Sequence, residues 1–162
     1  MPAPDRKPID IGRLVREAVL LQETARPDIR YSLDLPETPV IATLDGTMMN
    51  QALTNLLKNA AQAIHLRDDA NEPGRITLRT RLNPPWAEVQ VEDNGIGMPE
   101  PVRKRIFEPF FTTKEVGQGT GLGLAVSYFI ITNNHKGQME VHSTPGQGTC
   151  FTLRLPLASL PE

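Results

Sequence analysis

Hydrophobic residues recur at helical spacing in three parts of the chain. The first part predicts a helix over residues 9–22, and the second, which begins after the N-cap residue Asp45, predicts a longer helix. The apolar positions of these two stretches are Ile11, Leu14, Val15, Ala18 and Leu21, and then Met49, Ala52, Leu53, Leu56, Ala60 and Ile64. A third helix is expected to begin near Gly121 and to end at about Asn133.

Apolar and polar residues alternate elsewhere, as they do in strands with one buried face. The predicted strands cover residues 29–35, 40–44, 75–82, 86–91, 139–142 and 150–155. Proline-containing turns at residues 36–39 and 83–85 separate the first four into two hairpin-like pairs. This order of helices and strands favours an α+β fold with helices on one face of a mixed sheet.

Composition narrows the class of protein. The 162 residues are 39% hydrophobic and 22% charged, which fits a single domain over residues 1–162, with residues 1–8 expected to be flexible. A net charge of −2 argues against a nucleic-acid partner. The single cysteine, Cys150, favours a reduced, cytoplasmic setting. No stretch approaches the roughly 20 apolar residues of a membrane span, so we expect any membrane anchor to lie outside this chain.

Three glycine-rich loops follow one another in the second half of the chain, at residues 93–97, 117–123 and 146–149. Glycine is costly to order, so a chain repeats it where the backbone turns tightly or lies against a ligand. The second loop leads directly into the third helix, whose exposed N–H groups would attract an anion. Together the loops predict a nucleotide pocket.

The first loop offers a candidate for base recognition. Asp93 shares strand parity with two valines, so it is expected to face the core, where an unpaired carboxylate costs several kcal/mol. A purine amino group would supply the missing donor. Gly95 and Gly97 would then let the backbone approach the ring, with Ile96 and Met98 as apolar walls. An ordinary Asp-Asn-Gly hairpin turn is the alternative.

Polar residues on the second helix and between the loops complete the candidate site. Asn55, Asn59 and Gln62 fall on one helical face, where amide oxygens suit Mg²⁺; a solvent-facing polar stripe is the alternative. Residues 99–118 resemble a mobile lid that carries Lys114 toward a terminal phosphate, although Phe107 and Phe110 also suit an ordinary core segment. Thr149 shares parity with inward residues and would bond Asp93, a water or the base, unless it is a turn threonine.

These blocks, in this order, resemble the ATP-binding catalytic domain of bacterial sensor histidine kinases, within the superfamily of gyrase, Hsp90 and MutL. The matching blocks are the N box at residues 55–60, the F box at 107–111, and three G boxes at 93–97, 119–123 and 146–149. The detail is closest to the nitrogen-regulation type of kinase. The resemblance implies a two-layer α/β sandwich of the Bergerat type, with about five strands and about three helices on one face.

The resemblance also implies ATP and Mg²⁺ as cofactors. The residues expected to contact the nucleotide are Asn55, Asn59, Asp93, Gly95, Ile96, Gly97, Ile106, Thr113, Lys114, Gly119, Thr120, Gly121, Leu122, Gly123, Leu124 and Thr149. Of these, Asn59 would ligate the metal. Many relatives carry Lys-Tyr or Arg-Tyr where this chain has Gln62 and Ala63, so a phosphate contact is expected from Lys114 instead.

The implied activity is transfer of the γ-phosphate to a histidine on a separate dimerisation domain, with a response regulator receiver domain as the next partner. None of the three histidines has the sequence context of a phosphoacceptor. Each is expected to be structural or on the surface; they are His65, His135 and His142. Hydrolytic relatives carry a glutamate where this chain has Asn55, which disfavours hydrolysis. The alternatives are a serine kinase of the anti-sigma type and a regulatory module that binds nucleotide without transfer.

Overall fold

Two amphipathic helices carry the hydrophobic face that the apolar spacing predicts. The computed structural model describes residues 3–68, 72–111 and 122–158. Helix α1 spans Ile11–Ala25, and its N-cap Asp10 accepts a hydrogen bond from the Gly12 N–H at 2.9 Å. Helix α2 spans Gly46–His65, and the predicted cap is confirmed because Asp45 accepts from the Met48 N–H at 3.1 Å.

Seven strands and two further helical segments complete the described structure. The strands are β1 Lys7–Asp10, β2 Ile29–Asp34, β3 Ile41–Leu44, β4 Gly74–Asn83, β5 Trp86–Asp93, β6 Gln138–Thr144 and β7 Gly148–Pro156. The helical segments are α3, Glu100–Arg103, and α4, Gly123–Phe129, which continues as a π-helical turn over Ile130–Asn134.

Five of the strands form one mixed sheet, in the order β2-β4-β5-β7-β6. Strands β2 and β4 are parallel and the other neighbours are antiparallel. Helices α1 and α2 and the π-helical turn pack on one face, where Leu56, Leu78 and Leu153 are among the fully buried side chains. The predicted α+β fold, a mixed five-stranded sheet covered by helices on one face, is therefore confirmed.

The opposite face of the sheet carries charged side chains in ion pairs. Arg79 lies 3.0 Å from Glu92 across β4 and β5, and Arg154 contacts Glu88 and Glu140 on the two strands beside β7. Such a face remains in water, so the molecule has two layers rather than three. Among the helices of the described ranges, none is both long and apolar enough to cross a bilayer.

The pairing of the early strands differs from expectation. Residues 29–35 and 40–44 do not form a hairpin-like pair, because β2 joins β4 and β3 pairs antiparallel with β1 in a separate two-stranded sheet. The sequence did not predict β1, whose Lys7 and Pro8 fall in the segment expected to be flexible. Alternation of side chains identifies a strand but does not identify its partner, which is chosen by the packing of the whole domain.

Candidate nucleotide-binding site

Asp93 lies at the end of β5, in the middle of the sheet. The antiparallel registers place it opposite Ile76 of β4 and Thr149 of β7. Its side chain faces the helices and is only 5% exposed. The strand-parity prediction that this carboxyl group points inward is therefore confirmed.

Few hydrogen-bond donors or positive charges compensate the burial of the Asp93 carboxyl group. Its Oδ1 accepts a hydrogen bond from the Gly95 N–H at 2.8 Å. Burial raises the pKa of Asp93 from 3.8 to about 6, although the backbone N–H groups of Gly95 and Thr149 act in the opposite direction. Within the described residues Asp93 forms no ion pair. A buried carboxyl group in this condition gains most from a ligand that brings an additional donor.

The first glycine loop is wedged between α2 and the turn that joins β6 to β7. A Cβ atom on Gly95 would lie 2.6 Å from the Ala63 Cβ, and one on Gly97, whose φ is +69°, would lie 2.1 Å from the Thr144 carbonyl oxygen. The Ile96 N–H donates to the Ala63 carbonyl at 3.1 Å. Gly95 therefore lies against Ala63 of α2, and Gly97 lies against the backbone of the turn. These two close approaches hold the loop beside Asp93.

Apolar side chains flank this loop. Ile96 is 38% exposed, whereas Met98 and Ile106 are half-buried and pack against the core. An exposed isoleucine next to a buried acid provides an apolar surface of the kind that a purine ring covers.

The polar face of α2 runs along the same region. Asn55 donates from its side-chain amide to the Gly123 carbonyl at 3.2 Å, so α2 is tied to the start of α4. Asn59 makes no side-chain hydrogen bond to another described residue, and the Oε1 atom of Gln62 is buried without a partner. Half-buried amide oxygens that lack protein partners are suitable ligands for a hard cation. These oxygens therefore agree with the predicted binding of Mg²⁺.

A cation at this site would depend on neutral ligands and on the oxygens of its nucleotide. Within the described ranges no group of three or more His, Cys, Asp or Glu side chains is arranged to hold a metal. Mg²⁺ is commonly bound by few protein ligands together with phosphates and water, and the amide oxygens of Asn59 and Gln62 are the protein ligands that this face of α2 offers.

The second glycine loop is described only where it enters α4. Leu122, Gly123 and Leu124 form this entry, and Gly123 is the first residue of the helix. The remaining predicted contacts, Thr113, Lys114, Gly119, Thr120 and Gly121, lie outside the described residues. Their roles stay predictions.

In the described part of the predicted lid, residues 99–111, one aromatic side chain packs against the rest of the domain. Phe107 stacks on Tyr128 of α4, with ring centroids 4.6 Å apart. It also packs against Phe151 of β7, with ring centroids 6.2 Å apart. Phe110 differs, because it is 72% exposed and has a φ of +66°. The interpretation of Phe110 as a core residue is wrong, because most of its surface lies in solvent.

Thr149 faces inward as predicted, and its side chain reveals a residue that the sequence did not single out. It is 5% exposed, and its Oγ1 lies 2.7 Å from the Oγ of Ser143 on β6. Ser143 also accepts a hydrogen bond from the Met98 N–H at 2.8 Å. The available signal was strand parity, because Ser143 lies on the same face of β6 as the buried Met139 and Val141.

The three histidines lie apart from this site. His65 ends α2 and pairs with Asp28, and His142 is exposed on β6. His135 is 1% exposed; its Nδ1 donates to the Ile130 carbonyl and its Nε2 accepts from the Asp45 N–H. Burial lowers the pKa of His135. It therefore links the π-helical turn to the cap of α2 as a neutral structural residue.

Comparison with known proteins agrees with this geometry. The family described as "Histidine kinase-, DNA gyrase B-, and HSP90-like ATPase" matches residues 44–159. The signal transduction histidine-protein kinase AtoS of Escherichia coli is 41% identical over 154 residues, which are 92% of this chain and 24% of AtoS. The nitrogen regulation protein NtrY of Azorhizobium caulinodans is 35% identical over 157 residues, which are 96% of this chain and 20% of NtrY.

Solved structures show the same arrangement. The nucleotide-free catalytic domain of histidine kinase ThkA superposes with a TM-score of 0.81 at 29% identity, covering 94% of this chain and 96% of that domain. A structure of ThkA in complex with the response regulator protein TrrA matches with a TM-score of 0.76 at 25% identity, covering 94% of this chain and 42% of that one.

The fold and the site therefore define an ATPase-type nucleotide-binding domain, and the chain belongs to the family of histidine kinase-, DNA gyrase B- and HSP90-like ATPases. Within that family its relatives by sequence include sensor histidine kinases. The chain spans about a quarter of the length of AtoS and a fifth of NtrY.

Proposed function

We propose that this chain binds Mg-ATP and donates the γ-phosphate to a histidine on a separate dimerisation domain of the same kinase. The observation that carries the proposal is Asp93, a buried carboxyl group with a pKa of about 6 beside a closely packed glycine loop. Such a group recognises the exocyclic amino group of adenine, which donates a hydrogen bond to the carboxyl oxygen.

The first glycine loop and the start of α4 contact α2 at two separate points along the helix. At one end Ala63 holds the first glycine loop, and at the other Asn55 holds the first residue of α4, Gly123. Eight residues of helix separate Ala63 from Asn55, a rise of roughly 12 Å. The base would lie at the Ala63 end and the phosphates at the Asn55 end, with the side-chain amide of Asn59 between them.

The metal and phosphate contacts come from the polar face of α2 and from the lid. When bound, Mg²⁺ neutralises phosphate charge as the γ-phosphate leaves. Asn59 would hold it through its amide oxygen. Lys114 of the lid would contact the terminal phosphate. These residues bind and orient the nucleotide, and we assign no general base within the chain.

Transfer is favoured over hydrolysis by what occupies position 55. Asn55 engages Gly123 through its amide, and a carboxamide does not accept a proton near neutral pH. Water at that point would not be activated by this side chain. An imidazole presented by a second domain is itself a nucleophile, so it needs positioning more than it needs a base.

The partners follow from the same reaction. The phosphoacceptor is the dimerisation domain of the same kinase, and the consumer of the phosphoryl group is a response regulator receiver domain. ThkA, whose catalytic domain has this fold, has been solved with its response regulator TrrA. The reaction takes place in the cytoplasm, where ATP is available. Neither nucleic acid nor membrane contact is proposed for this domain.

Nucleotide recognition is tested by calorimetry with ATP and GTP, with and without Mg²⁺. We expect Asp93→Ala to remove the preference for ATP, since the buried acceptor is lost, and Asn59→Ala to remove the Mg²⁺ dependence of the affinity. The matched control is Asp34→Ala, which changes a carboxylate on the far face of the sheet that pairs with Arg81. Unchanged ATP affinity in Asp93→Ala would exclude the assignment of the base site.

Transfer is tested by mixing the chain with γ-labelled ATP and candidate dimerisation domains of sensor kinases. The expected product carries acid-labile, alkali-stable label on histidine of the added domain. Alkali-labile label on serine would instead indicate a serine kinase. Tight ATP binding with no label on any tested domain or serine substrate would indicate a regulatory binding module and contradict the proposed transfer.

A further inference from the structure

Ser143 occupies a connecting position in the candidate site that none of the family blocks includes. Resting on the proposed function, which assigns base recognition to Asp93, and on the predicted contact of Thr149 with the base, we propose that Ser143 is a positioning residue for adenine selectivity. Its hydroxyl group fixes the backbone of the first glycine loop at Met98, and it sets the Thr149 hydroxyl as a hydrogen-bond acceptor toward the base.

The register of the sheet places these side chains in one row. Asp93 of β5 is opposite Thr149 of β7, and Thr149 is opposite Ser143 of β6. All three project toward the helices, and both Asp93 and Thr149 are 5% exposed. The row therefore begins at the proposed base acceptor and ends at the residue that holds the loop.

Ser143 has three polar neighbours and only one proton to give. Its Oγ accepts from the Met98 N–H at 2.8 Å, and it lies 2.7 Å from the Thr149 Oγ1 and 3.2 Å from the Gly148 carbonyl oxygen. A carbonyl oxygen can only accept, so Ser143 donates its proton to the Gly148 carbonyl, and the 2.7 Å contact is donated by the Thr149 hydroxyl. The Thr149 proton is thus directed to Ser143, and the lone pairs of the Thr149 Oγ1 are left to accept.

The direction of the Thr149 hydroxyl decides which purine the site prefers. Adenine presents an amino group, which is a donor, where guanine and hypoxanthine present a carbonyl oxygen, which is an acceptor. A Thr149 hydroxyl fixed as an acceptor complements adenine and opposes the other two bases. A polar site rejects an analogue strongly when the analogue leaves a buried group unpaired.

The loop contact of Ser143 adds to a clamp that the turn already makes. The Gly146 N–H donates to the Ile96 carbonyl at 2.6 Å, and the Gly97 position leaves no room for a Cβ atom beside Thr144. Ser143 holds the next residue of the loop, Met98. The backbone contacts between the turn and the loop do not depend on Ser143. Removal of the Ser143 side chain is therefore expected to change the site more than the fold.

The test compares binding of ADP and inosine diphosphate by calorimetry in the full chain, in Ser143→Ala and in Ser143→Thr. We expect Ser143→Ala to weaken ADP binding by about 10-fold, the range for one lost polar contact, with a smaller effect on inosine diphosphate. The ratio of the two affinities should therefore fall. Ser143→Thr keeps the hydroxyl group and should retain most of the preference for ADP.

A second variant separates the proposed role from a structural one. In a Thr149→Val background the Ser143→Ala exchange should no longer alter the ratio of ADP to inosine diphosphate affinities, because no Thr149 proton remains to be directed. Equal weakening of both nucleotides by Ser143→Ala, or the same change of ratio in both backgrounds, would overturn the proposal.

The remaining outcomes are also informative. If Ser143→Ala does not fold, Ser143→Cys, which replaces the hydroxyl by a weaker donor and acceptor, should give a preference for ADP between those of the parent chain and Thr149→Val. A preference equal to that of the parent would contradict the proposal. Failure of the parent chain to bind ADP would refute the proposed function itself, whereas normal binding by the parent with an unaltered Ser143→Ala variant would refute only the role of Ser143.

Discussion

Exchange of Asp93 for asparagine should make the domain more stable while it abolishes the proposed base recognition. The exchange removes the buried negative charge and keeps a side-chain oxygen that still accepts from the Gly95 N–H. The shape of the side chain is nearly unchanged. The cost that is relieved is the one that burial imposes on a carboxylate without a cationic partner.

The size of the gain follows from the pKa of Asp93. The folded domain raises this pKa from 3.8 to about 6. At about 1.4 kcal/mol per pKa unit, the difference corresponds to about 3 kcal/mol at most. A raised pKa means that the folded state binds the proton more tightly than the unfolded chain. The favourable contribution is therefore complete below pH 4 and is lost as the pH rises through about 6.

The assay is urea unfolding of the parent chain and of Asp93→Asn at several pH values between 4.5 and 8. The free energy of unfolding of the variant relative to the parent should increase between pH 4.5 and 6.5 and reach a plateau above that. The control is Asp34→Asn, whose exposed carboxylate pairs with Arg81. Because Arg81 lowers the pKa of Asp34, its pH dependence has the opposite sign and lies at lower pH.

Taking the difference between variant and parent removes the other titrating groups, which are common to both proteins. A difference that stays constant across this pH range would show that Asp93 titrates normally in the folded state. The electrostatic basis of the proposed base site would then be lost, whatever the affinity for nucleotide.

Two matched pairs of substitutions test the packing around the site by urea unfolding. Gly97→Ala should destabilise the domain by about 3 kcal/mol or more, because its Cβ atom would meet backbone at 2.1 Å as well as adopt a positive φ. Gly146→Ala, which has a similar φ but nothing within 4 Å, should cost only about 1 kcal/mol. Similar values for the two would contradict the wedged loop. Phe107→Ala should lower the free energy of unfolding by about 2 kcal/mol through lost aromatic packing, and Phe110→Ala should change it by no more than about 0.5 kcal/mol. The reverse order would contradict the anchoring of the predicted lid by Phe107.

The site was predictable where local spacing determines geometry. Strand parity predicted that Asp93 and Thr149 face inward, and both are buried. Parity applied to β6 would also have indicated Ser143, but its role depends on a contact with Met98, which is 45 residues away. No local pattern contains that contact.

The aromatic residues of the lid show the opposite case. Phe107 and Phe110 belong to one short hydrophobic run, and composition does not distinguish them. Phe110 has a positive φ and is exposed, whereas Phe107 stacks on Tyr128 of a later helix. Backbone conformation and a distant partner decided which of the two anchors the lid.

By itself, the sequence determined helices α1 and α2, most of the strands, the cap at Asp45 and the inward direction of Asp93, because each depends on side-chain periodicity within a few residues. Only the tertiary structure decided that β2 pairs in parallel with β4, that β1 pairs with β3, and that Ser143 meets Met98. Those outcomes depend on which distant segments bury the same apolar surface and satisfy the same backbone groups, and such a choice belongs to the whole chain.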